Sequence, residues 1–402
     1  MHGFSRRAEV GAVLQWIDAH AAPLGSAVVA LDDAAGRVLA GPVGAPIDVP
    51  AFDRSAMDGY ALRGAETSGA SEYNPLTFTV IGQSLPNRPF DGTVSGGAAV
   101  RVMTGAPIPL GADAVVPAEY AQENDGRVDV TLAVGAGKHI GVRAEDIRAG
   151  TVVLDTGRRL RPQDLGLLAS LGLPQVRVRM QPRVRIVVTG REVVTAGEPK
   201  DLYEIYDANS PMLRALVARD GGLVEQCCRP GDDAESIRRA FVAPGADIIL
   251  VSGGSSVGSE DHAPRILAEI GKLAIHGVAM RPSSPAGVGR IGETLVFLLP
   301  GNPVSCLCAY DFFAGRAIRL RGGCRPDWPH RTAQCVVARK IVSAIGRVDY
   351  CRVRRTGDQV EPLAVSGASI LSSTTRADGF VIVSAESEGY APGETVTVYC
   401  YE

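Results

Sequence analysis

Between residues 182 and 318, short apolar runs alternate with stretches whose apolar positions recur every three or four residues. Residues 184–188, 223–227, 247–251 and 294–299 read as strands: Val, Ile and Leu dominate them, and Gly, Pro or Asp bound them. A helix is predicted to begin at 207–211, where Asn209 or Ser210 can cap and Pro211 suits the first turn. Its buried face carries Leu213, Leu216 and Val217, and Gly221-Gly222 stops it. Further helices are predicted over 234–242, 262–270 and 303–318. Strand–helix alternation of this kind predicts a parallel, doubly wound α/β sheet with helices on both faces. Ligands of such sheets bind beyond the carboxyl ends of the strands, so 189–192, 252–261 and 300–305 are expected to converge.

The flanking regions have other periods. Val10, Val13, Leu14 and Ile17 give an amphipathic helix, followed by strand character near 27–31. From 46 to 139 short apolar strands (76–81, 98–103, 114–117, 127–132) alternate with Gly/Pro/Asp turns, which predicts a β-rich domain. A helix is expected over 162–171, ended by Gly172. Residues 328–402 return to strands at 334–339, 349–355, 379–384 and 394–399. The fold class is therefore α/β plus β-rich domains in a multidomain chain. Four parts are expected: a discontinuous helix/strand domain (1–45 and 140–181), a β-rich insert (46–139), an α/β domain (182–327) and a β-barrel-like C-terminal domain (328–402).

A chain of 402 residues exceeds one core, in keeping with several domains. A formal net charge of −3 provides no global basic field, which argues against nucleic acid as partner, so any anion site must be local. No run of 18 apolar residues exists and the N-terminus lacks an apolar signal core, so neither a membrane helix nor export is expected. Eight cysteines without C-x-x-C or zinc spacing suit small buried hydrophobes in a reducing cytosol.

Chemistry concentrates in the loops. The strand at 247–251 empties into Ser252-Gly253-Gly254-Ser255, then Gly258, then Asp261. Glycines let the main chain approach a phosphate closely, and a carboxylate just beyond can hold Mg²⁺. Leu299-Pro300-Gly301-Asn302-Pro303-Val304-Ser305 repeats the strand–turn–helix logic. Asp53 and Asp58 lie in a polar and aromatic loop at 48–61, and carboxylates recur beside turns at Asp146, Glu192 and Asp207. Each can equally cap a turn. Ser255, Ser256 and Ser305 are possible hydroxyl donors or plain turn residues. No G-x-x-x-x-G-K-[ST] loop and no G-x-S-x-G elbow is present, which excludes the P-loop NTPase and α/β-hydrolase readings.

Taken together, PAFDRSAMDGYA at 50–61, TGAPIPLGADAVV at 104–116, EDI at 145–147, TGREV at 189–193, DAN at 207–209, SGGSSVGSED at 252–261 and LPGNPVS at 299–305 resemble the molybdopterin molybdenumtransferases (MoeA type, including the gephyrin E-domain). The resemblance spans almost the whole chain. It implies a homodimer of four-domain subunits whose α/β domain resembles the molybdopterin-adenylyltransferase fold. It implies Mg²⁺-dependent insertion of molybdate into adenylylated molybdopterin with release of AMP, at a site between the α/β domain of one subunit and the SAMDGYA domain of the other. A molybdopterin adenylyltransferase and molybdoenzyme apoproteins are implied partners. Carried over, Asp58, Glu192, Asp207 and Asp261 are the catalytic carboxylates, with Asp58, Glu192 and Asp261 as metal ligands. Ser252, Gly253, Gly254, Ser255, Gly258, Arg281, Pro282, Pro285, Pro300, Gly301, Asn302 and Ser305 bind the substrate, with Arg352 and Ser369 near the molybdate.

Departures cluster. The family's K-P-G-K-P loop reads Arg281-Pro282-Ser283-Ser284-Pro285, so its glycine is Ser283 and its second lysine Ser284. Arg191 replaces the Asp of TGDE, and Gly141 and Ala144 replace the Arg and Gly around the GED motif. Arg191 and Arg143 are the expected compensating cations; the alternative is a divergent paralogue that binds a molybdopterin nucleotide, or a partner protein, without efficient insertion.

Overall fold

The structure is a computed structural model that describes residues 7–255, 261–364 and 367–401. Two compact units divide the chain: one of residues 41–156 and 161–175, the other of the remainder.

The smaller unit is built on a six-stranded sheet, in the order Ala114–Pro117, Gly59–Leu62, Ala98–Val102, Leu76–Ser84, Arg127–Val130, Ala121–Asn124. Gly59 sits where a Cβ would lie 2.0 Å from the Val116 carbonyl oxygen, so only glycine lets these two strands pair at that point. The motif's Asp58-Gly59 step is thus a packing requirement as well as a candidate site. Helix Pro162–Ser170 leads into a small separate core of Ala45, Ile147 and Leu171.

In the larger unit the second sheet runs Leu223–Cys228, Arg183–Val188, Ile248–Ser252, Thr294–Leu299, Gly287–Ile291, Lys272–His276. The first four strands are parallel, as expected. The last two were not expected, and they pair antiparallel, so the sheet is mixed. Gly287 and Gly289 interrupt the β-branched pattern there. At Gly289 a Cβ would lie 2.3 Å from the Lys272 carbonyl oxygen, so the residue that weakens the strand signal is what permits the pairing.

Period-two alternation divides the central strands between two cores. Ile186, Ile248, Leu250, Leu295 and Phe297 face helix Asn209–Arg219, the helical run from Pro303 to Arg321 and the N-terminal helix Val10–His20. Val187, Ile249, Val251, Val296 and Leu298 face helices Ala234–Val242 and His262–Ile270. Arg185 is a buried exception. Its guanidinium donates to the Ala240, Ala243 and Pro244 carbonyls at 3.1, 2.7 and 2.7 Å. These lie at the C-terminal end of helix Ala234–Val242, where unpaired carbonyls and the helix dipole both favour a cation.

A third sheet, Val348–Thr356, Gln359–Ala364, Arg331–Val337, Thr395–Cys400 and Gly379–Val383, closes on itself because Gly379–Val383 also pairs with Val348–Thr356. A two-residue strand from the α/β region, Met280–Arg281, adds to Val348–Thr356 in parallel, bringing Arg281 opposite Asp349.

Two substitutions test these packing arguments by thermal melting. Gly59→Ala should destabilise the smaller unit by roughly 1–3 kcal/mol, the range for overpacking; an unchanged melt would show that the strands separate freely. Arg185→Met should destabilise the α/β region by on the order of 3 kcal/mol, because charged hydrogen bonds to three carbonyls are lost; a neutral outcome would show that water satisfies that helix end.

Candidate active site

Three parallel strands end side by side, and their turns touch. The Thr189 amide donates to the Ser252 carbonyl at 3.0 Å, and the Gly253 amide to the Leu299 carbonyl at 3.1 Å. Gly253 and Gly254 have φ of +91° and +53°, and a Cβ on either would come within 2.8 Å of Thr189 atoms. Asn209, at the start of its helix, ties two of these ends together. Its Nδ2 donates to Ser252 Oγ at 2.8 Å and to the Gly301 carbonyl at 2.7 Å.

These turns wall a cavity of about 730 Å³. Glu192, Ser252, Gly253, Gly254, Ser255, Asp261, Pro285, Pro300, Gly301, Asn302 and Ser369 all line it, so most of the sequence-based site residues converge here. Thr189 Oγ1 and Asn209 Oδ1 are buried on its wall with no hydrogen-bond partner among the described residues. Buried polar atoms are seldom left unpaired, so both are available to a polar ligand. Gly258 lies outside the described residues.

Asp207 also lines the cavity, but its carboxylate is occupied. Oδ1 accepts from the Asn209 and Ser210 amides at 3.0 and 2.9 Å, and Oδ2 from Arg229 Nε and Nη2 at 3.1 and 2.9 Å and from Ser210 Oγ. Burial pushes this carboxyl up, but the Ser210 and Arg229 hydrogen bonds outweigh it and hold it below the ordinary 3.8. These bonds give Asp207 a positioning role at the start of helix Asn209–Arg219, on the wall of the same cavity.

Asp232 was not anticipated. It lines the same cavity and accepts from the Gly190 and Arg191 amides at 2.9 and 3.1 Å, which fixes the turn that carries Glu192. It follows the fourth parallel strand, and that strand end was the signal available in the sequence.

A second cavity of about 870 Å³ shares Pro285, Pro300 and Asn302 with the first. Arg281, Pro282, Ser283, Ser284 and Ser305 line it, with Arg7 and Arg347, and no carboxylate is among its described lining residues. Ser283 holds φ at +93°, in the left-handed region that favours glycine, while its hydroxyl donates to the Ser305 carbonyl at 2.5 Å. Arg281 Nε and Ser284 Oγ have no hydrogen-bond partner among the described residues.

The other expected residues are spread more widely. Arg352 is fully buried and is not among the described lining residues of either cavity; alternation along Val348–Thr356 places it on the Tyr350 face, opposite Cys351 and Val353, which face the core of the closed sheet. Ser369 lines the first cavity and donates to Asn302 Oδ1 at 3.0 Å. Arg191 is not among the described residues that line the second cavity, and Arg143 Nε donates to Asp48 Oδ2 at 2.6 Å. In the smaller unit, Asp58 Oδ1 accepts from the Thr104 hydroxyl and amide at 2.7 and 2.6 Å, and both bonds lower its pKa. Among the described residues no three His, Cys, Asp or Glu side chains converge to hold a metal.

Family models match nearly end to end: the MoeA N-terminal region (domains I and II) at residues 8–172, the probable molybdopterin binding domain at 185–319, and the MoeA C-terminal region (domain IV) at 334–401. The chain is 38% identical over 333 residues to molybdopterin molybdenumtransferase 2 of Mycobacterium tuberculosis, covering 81% of this chain and 82% of that protein. It is 33% identical over 386 residues to the molybdopterin molybdenumtransferase of Haemophilus influenzae, covering 92% of each. A crystal structure of the molybdopterin biosynthesis MoeA protein from Pyrococcus horikoshii superposes with a TM-score of 0.84 at 30% identity, over 98% of this chain and all of that one. Full-length identity, matched domains and a shared fold agree: the chain belongs to the MoeA family of molybdopterin molybdenumtransferases.

Proposed function

We propose that this transferase inserts molybdenum from molybdate into adenylylated molybdopterin, with Mg²⁺ as the metal and AMP as the released product. The observation that carries the reading is the adjacency of two unlike cavities. One has glycine turns and carboxylates, as a metal-bound pyrophosphate requires; the other has cations without lining carboxylates, as an oxyanion requires. Their common wall of Pro285, Pro300 and Asn302 would bring the two substrates together.

Within this reading Gly253 and Gly254 leave the main chain open to the nucleotide phosphates. Thr189 Oγ1 can donate to the ligand and Asn209 Oδ1 can accept from it. Glu192 and Asp261, both on the first cavity, would hold Mg²⁺; two carboxylates completed by phosphate oxygens are an ordinary donor set for that ion. Bound there, Mg²⁺ would neutralise charge on the pyrophosphate. Asp207 and Asp232 keep the helix start and the Thr189–Glu192 turn in place. In the homodimer that the family resemblance implies, Asp58 would be supplied by the second subunit. The four-domain division, a cytoplasmic location, and an adenylyltransferase and molybdoenzyme apoproteins as partners belong to the same proposal. No helix among the described residues is long and apolar enough to cross a membrane.

The first test is AMP release from purified protein given adenylylated molybdopterin, Mg²⁺ and molybdate. Molybdate-dependent release is expected, and Asp261→Ala should lower it by about a hundredfold or more, the scale for a lost electrostatic contact to developing charge. Tight nucleotide binding without release would instead favour a divergent binder. Asp207→Asn tests the positioning role. Because the folded carboxyl sits below 3.8, its contribution is full above that pH and fades as pH falls through the folded value. The variant should therefore melt below the native protein at pH 7, and the gap should narrow under acid; a constant gap would show that the charge is not what holds the helix start.

A further inference from the structure

The second cavity holds a charge arrangement that the loop motif alone does not reveal. Asp349 is completely buried behind the wall. The register of Met280–Arg281 against Val348–Thr356 sets Arg281 beside it, and Arg281 Nη2 donates to Asp349 Oδ2. Ser343 Oγ donates to the same oxygen at 2.8 Å. On the other side, Arg347 Nε lies 3.3 Å from Asp349 Oδ1. Both arginines line the cavity and keep 29% and 37% of their side-chain surface exposed, whereas the carboxylate keeps none.

A guanidinium has five N–H donors, and one shared carboxylate takes only a few of them. Arg281 is thus held by a hydrogen bond and Arg347 by an ion pair, and both keep donors for the space they line. Arg7 adds a third cation. With one carboxylate behind three cations, the cavity keeps a surplus of positive charge although Ser284 stands where the family resemblance places a lysine.

We propose that Arg347 is the second oxyanion-binding cation of this site, taking the part of the missing lysine, and that Asp349 is the positioning residue that fixes Arg281 and Arg347 as a pair. The inference rests on the oxyanion reading of this cavity. It differs from charge supplied at Arg191 or Arg143, since Arg347 is on the cavity wall by virtue of the turn that precedes Val348–Thr356.

Equilibrium dialysis of the full-length protein against radiolabelled molybdate, with sulfate as competitor, reads the effect directly. Arg347→Ala should weaken molybdate binding about tenfold or more, the weight of one charged hydrogen bond. Arg347→Lys, which keeps the charge and guards against a folding artefact, should retain most of the affinity. Ser284→Lys should change the native affinity less than about threefold but restore most of what Arg347→Ala loses. Native-like binding by Arg347→Ala, or a tenfold gain from Ser284→Lys alone, overturns the assignment while leaving the oxyanion reading intact. No molybdate binding by the native protein overturns both.

Discussion

Close approach of backbone to backbone at the carboxyl ends of three parallel strands is the constraint on which the site depends. The Thr189, Gly253 and Gly301 turns are packed so tightly that Gly253 and Gly254 have no room for a side chain, and the Asn209 amide is the strut between two of them. Adjacent parallel strands are held by evenly spaced hydrogen bonds, so their ends stay level. Loops leaving from one level open one cavity. Everything proposed for phosphate recognition follows from that levelling.

Three carboxylates around the two cavities hold other groups still. Asp207 anchors a helix start, Asp232 a turn, and Asp349 a pair of arginines. A buried carboxylate with its partners in place is a rigid fixture, since removing one partner strands an uncompensated charge. Glu192 and Asp261 line the same cavity as Asp207 and Asp232, and Glu192 stands on the turn that Asp232 fixes.

The backbone at Ser283 carries strain that glycine would not, on the order of 1–3 kcal/mol for a non-glycine residue in the left-handed region. Its hydroxyl bond to the Ser305 carbonyl gives the residue a compensating anchor. The altered loop therefore keeps a defined shape although its glycine and second lysine are replaced. The cavity wall still carries Arg7, Arg281 and Arg347, which come from three distant parts of the chain.

Much of the architecture was legible because it depends on local pattern. Short continuous apolar runs marked the four parallel strands, and Gly253, Gly254, Pro300 and Gly301 announced two of their turns within a few residues of the strand end. The antiparallel edge was not legible, since Gly287 and Gly289 erase the strand pattern while tertiary contact requires them. Nor were Asp232 and the grouping of Arg347 with Asp349 and Arg281. Those residues meet through strand register and sheet order, which join positions far apart in the chain, and register is settled only when whole strands pair and bury their faces. The sequence by itself determined which segments become strands, turns and helices, and which family they compose. Only the tertiary structure decided which carboxylates are spoken for and which cations face the second cavity, because both depend on partners that packing brings within a few ångströms.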